Sequence, residues 1–77
     1  MSNGIKRDLA TVANLEAEFY NPGWARELAI ELQMMDEARV DGFAWSDGRR
    51  QAYRRVLRWA KETPTAEVEA ALKEAVS

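Results

Sequence analysis

Between Ser46 and Glu62, Tyr53, Val56, Leu57 and Ala60 recur at the i, i+3, i+4, i+7 spacing of a core-facing helix. Arg50, Arg54, Arg58 and Lys61 line the other side, with Arg55 at its far edge. From Arg49 to Lys61 there are six positive residues and no acid, so a net charge of −2 divides into a +6 segment and a −8 remainder. A basic helix in an acidic chain calls for either a partner or an internal charge clamp. The rest of the chain must supply helices that cover its apolar face.

The sequence around this stretch provides them. A first helix is expected over about residues 5–20, with Ile5, Leu9, Val12, Ala13, Phe19 and Tyr20 on its apolar face and Lys6, Asp8, Asn14 and Glu18 on the other. Asn21-Pro22-Gly23 ends it, since proline disfavours helical geometry in the residue before it; Asn21 and Pro22 then suit the N-cap and first position of the next helix. That second helix is expected over 22–40. Its core stripe is Trp24, Leu28, Leu32 and Met35, and a second apolar strip, Ile30 and Met34, is set apart from the first by Glu27 and Glu31. A central helix in an all-helical domain is often buried on two sides, so coverage by a neighbouring helix is the first expectation for this strip; a second is that another molecule covers it.

Asp41-Gly42 suits a helix C-terminus closed by a left-handed glycine, with Phe43 making the accompanying apolar contact. Ser46 or Asp47 caps a helix over 47–62, and Thr63-Pro64-Thr65 separates it from a last helix over 65–76 with a stripe of Val68, Ala71, Leu72, Ala75 and Val76. No sustained alternation of apolar and polar residues suggests a strand. The expected fold is therefore all-α: a compact bundle of four helices, about 5–20, 22–40, 47–62 and 65–76, with short connections and a single helical domain over residues 1–77. A domain of this length buries only about 60% of its unfolded surface, so modest stability is expected.

The chain has no cysteine and no histidine, which removes disulfides, thiol nucleophiles, Cys/His zinc sites and imidazole acid–base chemistry. Neither a signal-peptide core near the start nor an apolar run of about 20 residues is present, so a cytoplasmic protein that neither enters nor crosses a membrane is expected. Glu27 with Glu31, and Asp36 with Glu37, are the candidate acid–base or metal-binding carboxylates, but no nucleophile, phosphate loop or second carboxylate pair accompanies them. No catalytic residue, metal or cofactor is assigned, and an enzyme is not expected.

Three readings of the basic helix follow. In the first, Arg49, Arg50, Arg54, Arg55 and Arg58 pair with Glu16, Glu18, Glu27, Glu31, Asp36 and Glu37 on adjacent helices, leaving two or three cations free. In the second, Arg50, Arg54, Arg58 and Lys61 meet phosphates while Tyr53 or Trp59 stacks on bases. Ala38 and Gly42 fit helix-turn-helix spacing, whereas Asp41, Gly48 and Gln51 stand where that motif expects apolar residues. In the third, a protein partner with an acidic or mixed surface docks on Arg50, Arg54, Arg55, Arg58, Trp59 and Lys61, or on Ile30 and Met34, all residue types suited to interfaces. Exposure of Ile30 and Met34 would also favour a homodimer.

In size, helical content, charge asymmetry and lack of His and Cys, the chain resembles the small stand-alone helical proteins that phages encode to regulate or inhibit host machinery, anti-CRISPR proteins among them. The resemblance implies a non-enzymatic module that inhibits or regulates a protein partner through its basic, Trp-flanked helix face. The alternative is a nucleic-acid-binding transcriptional regulator using the same helix.

Overall fold

A computed structural model describes residues 3–16 and 21–76. Five helices form: α1 (Asn3–Glu16), α2 (Trp24–Met34), α3 (Glu37–Val40), α4 (Asp47–Lys61) and α5 (Thr65–Val76). The architecture is an all-α bundle in which α1 packs on α4 and α5, α2 packs on α5 and α4, and α3 lies against α4.

The core is built by the expected apolar stripes. Leu9, Val12 and Ala13 of α1 meet Tyr53, Val56, Leu57 and Ala60 of α4, with Trp24, Leu28, Ala29 and Leu32 of α2 and Val68, Ala71 and Leu72 of α5 in the same cluster. Burying an aliphatic side chain of this kind contributes about 1.5–3 kcal/mol, which makes this cluster the main source of cohesion. At the Asn21-Pro22-Gly23 junction the N-cap is Gly23 rather than Asn21, and Asn21 instead closes a turn ahead of the helix: its Oδ1 accepts from Gly23 N at 3.1 Å, and Trp24 N donates to Asn21 O at 3.1 Å. The helix proper begins two residues later than expected, at Trp24.

Three expectations are corrected. The helix expected over 22–40 is broken at Met35 and Asp36, both extended, because Asp36 turns its carboxylate back to accept from Ala38 N at 3.1 Å and so caps α3 as a new helix. Met35 nevertheless stays buried. Gly42 is not left-handed: no described glycine has positive φ, and the chain leaves α3 through tight turns in which Gly42 N donates to Arg39 O and Phe43 N to Val40 O, each at 3.1 Å. Asp8, placed by periodicity on the polar side of the first helix, is buried, for a reason given below. The end of the first expected helix, including Phe19 and Tyr20, lies outside the described residues.

Around α4 the local chemistry follows the sequence closely. Ser46 Oγ accepts from Arg49 N at 3.4 Å as the N-cap, and Phe43, Trp45 and Tyr53 form an aromatic group with ring centroids 4.6 to 6.1 Å apart at the helix entry. At the far end, the Gln33 amide reaches from α2 to donate to Ala60 O at 3.2 Å and Thr63 O at 2.8 Å, while its Oε1 accepts from Thr65 Oγ1 at 2.7 Å. One side chain thus satisfies two carbonyls at the end of α4 and fixes the start of α5.

Candidate functional site

Most of the arginine charge on α4 is answered from within the chain. Glu37 and Asp41 are one turn apart, as are Arg58 and Arg54, so the two segments meet in antiparallel register: Arg58 Nε donates to Glu37 Oε1 at 2.9 Å, and Arg54 pairs with Asp41. The line continues at Arg50, which donates to Phe43 O at 3.1 Å and pairs with Asp47. On another edge of the helix, Arg55 Nε and Nη2 donate to Asp8 Oδ2 and Oδ1 at 2.7 and 3.0 Å, a two-pronged bond that explains why Asp8 is only 6% exposed. Hydrogen bonding to Asp8, and then the Asp8 charge, hold the Arg55 pKa above its ordinary value.

The six α4 residues named from the sequence therefore do not form one free surface. Arg50, Arg54 and Arg58 bind the 37–47 segment, Arg55 binds α1, and Trp59 is partly buried against the core, where it closes an edge. Lys61 and Arg49 are exposed and make no side-chain ion pair among the described residues. The clamp reading was right in kind, with partners that differ in part from those named. Of the six acids named for it, Glu37 takes Arg58, Glu27, Glu31 and Asp36 hold no arginine among the described residues, and Glu18 lies outside them. Asp8, Asp41 and Asp47 were missed; the signal for Asp41 was its four-residue spacing from Glu37 against that of Arg54 and Arg58.

Tyr53 is 1% exposed and cannot stack on a base. Burial first, then the charges of Glu16 and Glu31, push its pKa well above the ordinary tyrosine value. The segment ahead of α4 is a single turn, Glu37–Val40, rather than the longer helix that precedes the recognition helix of a helix-turn-helix.

The outer face of α2 is different. Ile30 is 41% and Met34 81% exposed, and they are the exposed large hydrophobics among the described residues, so no neighbouring helix covers the strip. The reason lies in how α2 is held: α4 and α5 pack on its Leu28, Ala29 and Leu32 side, and the short α3 turns away along α4 instead of crossing over. Ile30 and Met34 are one turn apart. Glu27 and Glu31, also one turn apart, run along one side of them within an arc of about 100° of the helix, and exposed Arg26 lies on the other side. Both glutamates are exposed, and neither forms an ion pair among the described residues. The other two candidate carboxylates have structural work: Asp36 caps α3 and Glu37 holds Arg58. Among the described residues no helix is long and apolar enough to cross a membrane. Comparison with family models, curated proteins and solved structures finds no match to this chain.

Proposed function

We propose that this is a non-enzymatic helical binding module that regulates or inhibits a protein partner, and that its contact surface is centred on the α2 strip of Ile30 and Met34. The observation that carries the reading is the exposure of these two adjacent large apolar side chains in a bundle whose other described large hydrophobics are buried or partly buried. Single exposed hydrophobics are ordinary, whereas two on successive turns of one helix form a continuous strip suited to helix-type docking. The basic face of α4 then serves mainly as an internal clasp, with the exposed Lys61 and Arg58 at its rim. Methionine in the strip suits an adaptable contact, since its unbranched thioether repacks against varied shapes.

A photo-crosslinking amino acid placed at position 34, and in a control at the exposed position 67 on α5, tests this in cells that produce the chain. The expected result is a discrete crosslinked protein from position 34 that is absent from position 67. Crosslinks only from positions on the α4 basic face, or to nucleic acid, would overturn it.

A further inference from the structure

The composition of the α2 face also indicates what kind of partner fits it. Resting on the docking reading above, we infer that the occupant is a basic amphipathic helix, one whose apolar residues recur every turn and are flanked by lysine or arginine. The strip presents two apolar side chains one turn apart, which matches the i, i+4 anchors that such helices lay on a surface. Along the same edge run Glu27 and Glu31, exposed and without an ion pair among the described residues.

Five other acids are already engaged. Asp8, Glu37, Asp41 and Asp47 each hold an arginine of the chain, and Glu69 holds Lys73. Glu27 and Glu31 are thus left with two carboxylates of unanswered charge beside exposed apolar surface. A cationic flank placed there gains attraction without breaking an existing pair, whereas an acidic flank meets like charge. A second copy of the chain fits less well. It would bring the same two carboxylates to the contact, where like charges oppose each other.

The probes are two fluorescein-labelled helical peptides of about 14 residues, long enough to form a helix on a surface, one with leucine on one face and lysine on the other, its counterpart with glutamate in place of lysine. Anisotropy is read against the full chain, the Ile30→Ser/Met34→Ser variant and the Glu27→Lys/Glu31→Lys variant, each checked for helicity. The leucine–lysine peptide is expected to bind the parent chain, to weaken as salt rises, and to lose about tenfold in affinity on the double charge reversal, which brings in binding of the leucine–glutamate peptide. The milder Glu27→Gln/Glu31→Gln variant should fall between the two and guards against a folding defect. Equal or tighter binding of the leucine–glutamate peptide to the parent chain, lost in Ile30→Ser/Met34→Ser, would overturn the basic partner while leaving the docking strip standing. Leucine–lysine binding that is indifferent to Ile30→Ser/Met34→Ser would remove the strip itself, and with it both readings. An absence of binding by either peptide at low salt would also overturn the inference.

Discussion

At the scale of single residues, the bundle depends on a few polar side chains that each join two elements. Gln33 is the clearest: its amide uses both donors and its acceptor on the α4–α5 junction. Gln33→Ala leaves the Ala60 and Thr63 carbonyls without that partner and should destabilise by about 1–2 kcal/mol, a fall in Tm of several degrees for a domain of this size. Thermal unfolding followed by circular dichroism checks it, and Gln33→Glu, which cannot donate, should be no better than alanine. Tyr53 sets an alkaline limit. Its raised folded pKa means that the unfolded chain loses the phenol proton first, so its contribution to stability is intact below its ordinary value of 10.0 and is lost as pH rises through the folded value. The urea midpoint should therefore decline above about pH 10, and Tyr53→Phe should flatten that decline.

At the scale of elements, α4 is where charge and packing meet. Its apolar stripe is covered by α1, α2 and α5, and its arginines hold the chain on both flanks: Asp8 of α1 on one, residues 37–47 on the other. Exposed pairs contribute about 0–1 kcal/mol each, so the ladder sets the placement of α3 more than the stability of the whole. Arg54→Glu with Arg58→Glu should repel Asp41 and Glu37 and release α3, seen as faster amide exchange over residues 37–43 with a small loss of Tm. Adding Glu37→Arg and Asp41→Arg should restore protection. Arg55→Met is expected to lower Tm more than Lys61→Met, because it leaves the buried Asp8 carboxylate without its guanidinium.

The elements were readable where periodicity and capping agreed. The helices over 47–61 and 65–76 stand within a residue of their expected ends because Ser46 and Thr63-Pro64-Thr65 bracket them. The break in the second helix was missed because the apolar spacing of Leu32, Met35 and Val40 runs on through it, and that spacing outweighed Asp36-Glu37, a capping residue followed by an acid and thus a helix start in its own right. The basic residues were visible, but their pairing was not. Asp8 sits one position from Leu9 and four from Val12, and only the crossing of α1 over α4 turns it toward Arg55.

At the scale of the whole molecule, most of the arginine charge on α4 that first suggested a binding face is balanced internally, and the exposed large hydrophobics among the described residues are those of the α2 strip, beside Glu27 and Glu31. That the helix packing would leave Ile30 and Met34 open was not readable from the sequence, since coverage depends on where α3 goes after the break at Asp36. Two copies would set Glu27 and Glu31 against the same carboxylates, so sedimentation should give a monomer up to about 100 μM, in contrast to the dimer that exposure alone would favour.

The most direct measurement compares the parent chain with Ile30→Ser/Met34→Ser in two readouts, Tm and the yield of the crosslinked partner, read with the crosslinker moved to position 23 just ahead of α2. Both substitutions replace exposed side chains, so Tm should hold within about 2 °C, as expected for surface changes, while the crosslinked partner disappears. An unchanged Tm with undiminished crosslinking would contradict the claim that α2 is the docking face.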